Sequence, residues 1–194
     1  EVRMKGVNQV TIHPKIGLSF SQVLRAFLRQ DPDVLMVGEI RDPETADIGI
    51  KAAQTGHLVL TTLHTNGALE TLNRLHNLGV SHYNIATALT LVVAQRLVRC
   101  LCSHCKKPDH GGRFQAYVDG CEQCHQGYHG RFAIFETLPM TSRLQQAIFE
   151  MRTTHELAAI ATQTGWKPLS VQGEAMVAAG LTSEAEYSRV IHHA

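Results

Sequence analysis

Four of the five cysteines fall in two pairs, Cys102-x2-Cys105 and Cys121-x2-Cys124, with fifteen residues between the pairs. This spacing restricts the possible folds more than any other feature of the chain. A C-x-x-C turn presents two thiolates on one side, and two such turns close a tetrahedron around Zn2+. Four protein thiolates leave no open coordination position, so an ion held this way is structural. In small zinc peptides such binding supplies on the order of 10 kcal/mol. That is enough to order residues 106–120, which have few apolar side chains and little periodicity. The N-terminal residues show no apolar signal segment, which points to a reducing compartment where clustered thiols hold metal rather than form disulfides. Cys100 lies outside the pairs and reads as a small, partly buried residue. His104, His110, His125 and His129 are near enough in sequence to complete a Cys3His site, but the symmetric spacing favours four thiolates. A redox role suits a single C-x-x-C better than two matched pairs.

Charge narrows the partners. Eighteen basic and seventeen acidic side chains leave a net +1, so no broad field draws the chain onto nucleic acid or anionic lipid. No apolar run approaches the eighteen or so residues that span a bilayer.

Before the cysteines the pattern is α/β. Val7 to Ile12 reads as a strand ended by His13-Pro14. Ser19 and Gln22 form a capping box ahead of Phe20, Val23, Leu24, Phe27 and Leu28, which share one helical face. Asp31-Pro32 stops that helix. Val34-Leu35-Met36-Val37 reads as a strand buried on both faces of a parallel sheet. Asp42-Pro43-Glu44 starts a helix that Gly56 ends, and Leu58 to Leu63 forms a second buried strand. Strand, helix, strand with short links is the signature of a doubly wound α/β core. From Gly67 the pattern turns helical: Leu69, Leu72, Leu75 and Leu78 lead to Gly79, and 85–101 reads as a long apolar helix. Phe132 to Phe135 reads as a returning strand. Helices near 141–152, 155–164 and 168–179 follow, and Ser183 with Glu186 opens the last one with a second capping box.

The strongest catalytic candidate is Glu39, in Val37-Gly38-Glu39-Ile40-Arg41-Asp42. An acid at the C-terminal end of a buried parallel strand sits where α/β folds bind ligands. There it can orient a water for phosphoryl transfer, although on the pattern alone a solvated strand-end glutamate is an equal reading. Asp42 is a helix cap rather than a catalyst. His57 and His64 stand at the two ends of the second strand, where a histidine is more often a structural hydrogen-bonder.

The run Leu28-Arg29-Gln30-Asp31-Pro32-Asp33, the segment Val37 to Asp42, and Thr55 to Asn66 resemble the traffic ATPases of type II secretion and type IV pilus assembly. Ala94-Gln95-Arg96-Leu97-Val98-Arg99 and the tetracysteine are similar to the same family, in particular to its HofB-like branch. The likeness covers nearly the whole chain, and Gly180 to Ser183 and Arg189-Val190-Ile191 match the family's C-terminal end. It implies the C-terminal part of a RecA-like P-loop ATPase core over residues 1–99, carrying the Walker B element and the His box. A zinc module over 100–130 would follow, then a return strand and C-terminal helical subdomain over 131–194. No G-x-x-x-x-G-K-[ST] occurs in these residues; that loop cradles the phosphates and serves Mg2+. The resemblance places it upstream, with Glu1 matching the last glutamate of an acidic box.

The resemblance also implies roles. Glu39 becomes the Walker B glutamate, and His57 and His64 position or sense the γ-phosphate. Gly38, Glu39 and His64 face the nucleotide. Arg25, Arg29 and Arg41 are the nearest basic residues, with Arg29 and Arg41 placed to neutralise charge on a nucleotide in a ring. The implied cofactors are ATP, Mg2+ and Zn2+. The implied setting is a homo-hexamer at the cytoplasmic face of the inner membrane. It acts there with the membrane platform protein to assemble pilin or pseudopilin, without nucleic acid and without inserting into the membrane itself. The 194-residue chain alone is expected to have no turnover. The competing reading is a non-enzymatic zinc-ribbon interaction module.

Overall fold

Two four-residue strands set the frame around which the first half of the chain is built. β1 (Val34–Val37) runs parallel to β2 (Leu58–Thr61), in register from Val34 opposite Leu58 to Val37 opposite Thr61. α1 (Phe20–Leu28) precedes them and α2 (Pro43–Gln54) forms the crossover. Local chemistry explains both helix starts. Ser19 and Gln22 form the expected capping box. Asp42 caps α2, accepting from the Thr45 backbone N–H at 2.8 Å, with Pro43 in the first turn. Gly56, at φ +101°, ends α2 as expected.

The computed structural model describes residues 2–109 and 111–191; Glu1 and His110 lie outside the described residues. It divides into two compact units. The first comprises the described residues up to His64, with 71–90 and 141–152; the second comprises 65–70, 91–140 and 153 onward. The first unit also takes most of α3 (Ala68–Asn77), together with α4 (His82–Ala88) and α5 (Ser142–Phe149). Its core is Leu24, Leu35, Val37, Ile48, Ile50, Leu72, Leu75, Ile85, Leu144 and Ile148, all buried. The strands are buried on one face only, which corrects the two-sided expectation. Leu35 and Val37 face the core, whereas Val34 is 55% and Met36 74% exposed. Leu58 and Leu60 in β2 are exposed as well. With helices packed on a single side of a two-stranded sheet, the pleat sends alternate residues outward.

Val7 to Ile12 forms no strand; an isolated bridge between His13 and Leu18 comes only after it. β-forming residues do not make a strand without a ladder partner.

The second unit is organised by a long antiparallel pair, β3 (Leu91–Leu101) and β6 (Tyr128–Pro139). The apolar helix expected over 85–101 is therefore corrected: α4 ends at Ala88, and eleven residues of strand follow. Val92, Ala94 and Val98 face inward while Leu91, Val93 and Leu97 face out. Because both faces carry apolar residues, the period of two does not show in the sequence, and a continuous apolar run is ambiguous between helix and strand. Between these strands lie β4 (Lys107–Pro108) and β5 (Phe114–Gln115), a short ribbon. α6 (Thr154–Gln163), α7 (Leu169–Ala178) and α8 (Glu184–Ile191) complete the unit. Gly173 on α7 lies so close to α8 that an added Cβ would sit 2.5 Å from the Tyr187 ring.

Two buried carboxylates tie this unit together. Glu136 in β6 accepts from the Ala68 N–H at 3.0 Å and the Leu169 N–H at 3.2 Å, the first residues of α3 and α7. One acid thus serves two helix N-termini, where negative charge is favoured. Glu186 does not complete the second capping box. Ser183 caps α8 by accepting from the Glu186 N–H, but the Glu186 carboxylate turns to Arg99 and Arg189, each at 2.7 Å. It also accepts from the Arg99 backbone N–H at 3.1 Å. Burial pushes its pKa up, but the hydrogen bonds from Arg189 and Arg99 outweigh that and bring it from 4.5 to about 2.

A carboxyl with a lowered folded pKa contributes stability above its unfolded pKa and loses it as pH falls through the folded one. For Glu186 that window runs from pH 4.5 down to about 2, with a contribution on the order of 3 kcal/mol. Urea titrations at stepped pH should show this loss. Glu186→Gln should be destabilised by about 3 kcal/mol at neutral pH and should lack that component of the acid transition.

Candidate functional site: a carboxylate–histidine pair and a four-thiol cluster

Glu39 lies just beyond the C-terminal end of β1, and Thr62, just beyond β2, fixes the residues on either side of it. The Thr62 hydroxyl donates to the Gly38 carbonyl, and the Ile40 N–H donates to the Thr62 carbonyl at 3.1 Å. The backbone ladder therefore continues past both strands and leaves the Glu39 side chain at the strand edge, one-fifth exposed. Its Oε2 meets His64 Nε2 at 3.2 Å and Arg41 Nε at 2.6 Å. Hydrogen bonding from Arg41, countered in part by desolvation, holds the Glu39 carboxyl below its usual value, and His64 adds to this. Glu39 is thus ionised at neutral pH. Among the described residues no donor is recorded at Oε1.

The structure brings Glu39, His64, Arg41 and Gly38 together but places His57 and Arg29 elsewhere. His57 precedes β2, at the opposite end of a four-residue strand, ~13 Å away along it. Its Nδ1 contacts the Ala52 carbonyl at 3.0 Å and the Thr55 hydroxyl at 3.2 Å, closing the C-terminus of α2. The Arg29 N–H caps α1, and its side chain is exposed. Arg25 pairs with Glu44 at 2.7 Å. The sequence reading missed Thr62; a hydroxyl directly after a strand, opposite the residue preceding the candidate acid, is the signal that would have found it.

The second site is the thiol cluster. The sulfurs of Cys102, Cys105, Cys121 and Cys124 lie within 4.8 Å of one another. Cys102–Cys121 measures 3.8 Å, and Cys105–Cys124 and Cys121–Cys124 each 3.6 Å. With Zn–S bonds of about 2.3 Å, the edge of a regular tetrahedron is about 3.8 Å, so the donor set fits the ion. All four are free thiols. Burial and the neighbouring thiols push Cys105 up to about 12. Burial also raises Cys124, but N–H groups of Cys121 and Gly127, with adjacent thiols, bring it down to about 7. Four thiolates at this separation need a cation. Cys100 stands apart from the cluster, at the register shift between Arg99 and Leu101 in β3. Among the described residues no histidine joins the four cysteines.

The knuckles are held by backbone. The Cys102 N–H donates to the Gly127 carbonyl at 2.8 Å. Gly127 has φ +79°, and an added Cβ would lie 2.6 Å from the Tyr117 nitrogen. Lys107 Nζ sits 3.7 Å over the Tyr117 ring, and Lys106 Nζ 4.3 Å over Phe114. These contacts order the loop with few apolar side chains.

A parallel strand–helix–strand element with an acid at its C-terminal edge, joined to a four-thiol module, fits the RecA-like ATPase class expected from the sequence. Solved structures agree. DotB of Legionella pneumophila, described as an ATPase, superposes with a TM-score of 0.65 at 27% identity, over 91% of this chain and 43% of that one. The pilus retraction motor PilT, solved with bound ADP, gives 0.64 at 28% identity, over 87% and 42%. The chain belongs to the type II/IV secretion system protein family, whose pattern it matches over residues 1–189. It is 49% identical to the type IV pilus assembly ATPase PilB of Pseudomonas aeruginosa, over 98% of this chain and 36% of the relative. It is 48% identical to the protein transport protein HofB homolog of Escherichia coli, over 98% and 44%. The chain thus spans less than half the length of these relatives. No helix among the described residues is long and apolar enough to cross a membrane.

Elemental analysis should find about one zinc per chain. A strong chelator or Cys105→Ser should lower the melting temperature of the second unit, read from the near-ultraviolet signal of Tyr117 and Tyr128. Gly127→Ala should destabilise the metal-loaded chain by at least 1–2 kcal/mol, through its positive φ and the clash with Tyr117.

Proposed function

We propose that this chain is the C-terminal part of an ATP-hydrolysing motor for type IV pilus assembly or type II secretion. The observation that carries the reading is the Glu39–His64 contact at the C-terminal edge of β1, in a chain 49% identical to a pilus assembly ATPase. In this reading the Glu39 carboxylate orients a water through Oε1 for attack on the γ-phosphate. Arg41 holds the Glu39 pKa low, and a weakly basic carboxylate aims a water better than it removes a proton. His64 braces Oε2 and exchanges partners when phosphate is lost. Gly38 supplies the close backbone approach beside the nucleotide. His57, at the far end of β2, acts through the α2–β2 turn rather than on phosphate. Arg29 and Arg41 neutralise charge, one of them across a subunit boundary.

ATP and Mg2+ are held chiefly by a phosphate-binding loop outside these residues, and Zn2+ at the four thiolates is structural. In the division that follows, 1–99 belongs to the ATPase core, 100–130 to the zinc module and 131–194 to the return strand and helical subdomain. The working assembly is a homo-hexamer at the cytoplasmic face of the inner membrane, acting with the platform protein on pilin-like subunits, without nucleic acid.

The deciding experiment joins these residues to the upstream half of the protein and compares steady-state ATP hydrolysis. Glu39→Gln should lower the rate by about 100-fold or more, and the 194-residue chain alone should show no turnover. Equal rates for wild type and Glu39→Gln would falsify the assignment.

A further inference from the structure

A pocket of about 460 Å³ opens in the second unit, lined by Leu97, Arg99, His125, Tyr128, Gly130, Arg131 and Arg189. Three of its side chains are guanidinium groups, and no carboxylate is among the lining residues. The one acid associated with it, Glu186, is fully buried and bound to two of the three. Arg99 engages it through Nε and Nη2, and Arg189 does the same. Glu186 therefore acts as an internal brace. It fixes both forks while their outer edges stay accessible, the side chains being 37% and 57% exposed. Arg99 is further pinned by its guanidinium carbon lying 4.1 Å over the Tyr128 ring, and Tyr128 donates or accepts a 2.6 Å hydrogen bond with Ser183. Arg131 is exposed, and no carboxylate pairs with it among the described residues.

We propose that this pocket is a binding site for a phosphate oxyanion, either a free phosphate group or the phosphate of a lipid headgroup. The charge balance favours such a ligand: three guanidinium charges against one buried carboxylate leave two positive charges. A phosphomonoester carries about −1.5 to −2 at neutral pH. Geometry favours phosphate over a carboxylate ligand. A planar carboxylate is satisfied by one or two forks, as Glu186 already shows, whereas a tetrahedral group offers oxygens to donors on three sides. Preorganisation favours it too, since two of the arginines lose little freedom on binding. This site is independent of Glu39 and of the thiol sulfurs.

The test uses the metal-loaded 194-residue chain at low ionic strength. Inorganic phosphate and pyrophosphate are titrated by calorimetry. In parallel the chain is sedimented with phosphatidylglycerol vesicles, with phosphatidylcholine vesicles as control. Arg131→Gln is the decisive variant because Arg131 is not part of the Glu186 brace; an unchanged melting temperature verifies its fold. Binding in either arm, weakened about 10-fold or more by Arg131→Gln and partly restored by Arg131→Lys, supports the proposal. Titration with phosphate identifies the free group as ligand, and sedimentation without it identifies the headgroup. No binding in both arms, binding that Arg131→Gln leaves unchanged, or tighter binding of a polyglutamate peptide than of pyrophosphate overturns it.

Discussion

The parallel pairing of β1 with β2 is the constraint on which the candidate catalytic end of this protein depends. In a parallel pair the C-terminal edges of both strands coincide, so residues following each strand meet without any long-range search. Glu39 and His64 are neighbours for that reason, although neither lies within a strand. Thr62 converts proximity into position by bonding to the backbone on both sides of Glu39. The same geometry separates His57 from them, because a residue preceding a strand cannot reach its far edge.

The second unit solves a different problem. Residues 106–120 have too few apolar side chains to offset the entropy of their ordering. Four sulfurs at tetrahedral spacing, stacked Lys–aromatic pairs and a glycine against Tyr117 do that work instead. A charge-based scheme operates elsewhere in the same unit. Glu136 serves two helix starts and Glu186 two arginines, so each buried acid is fully partnered, as the cost of an isolated buried charge requires.

Local chemistry was legible in the sequence. Ser19 with Gln22, Asp42 with Pro43, and the glycines at 56 and 79 mark helix ends because each acts on its own neighbours. The cysteine spacing was legible for the same reason: the knuckle turns set the ligand geometry. Long-range choices were not. The run 85–101 looks like a helix until Tyr128–Pro139 pairs with it, and Val7 to Ile12 looks like a strand though no partner pairs with it among the described residues. Glu186 satisfied a local capping pattern, yet its carboxylate was claimed by Arg99, eighty-seven positions away. At the candidate site the acid and both histidines could be picked out from type and position. Which histidine meets the acid follows only from strand direction.

The brace at Glu186 gives the last turn of α8 a weight that its surface position would not suggest. Arg189 lies within the final turn of α8 with its side chain largely exposed, a setting in which a substitution ordinarily costs little. Here, loss of the Arg189 guanidinium would strip one of two counter-cations from a carboxylate sealed away from water. Such a variant keeps every catalytic candidate and every thiol, but its interior carboxylate then leans on Arg99 for its charge compensation.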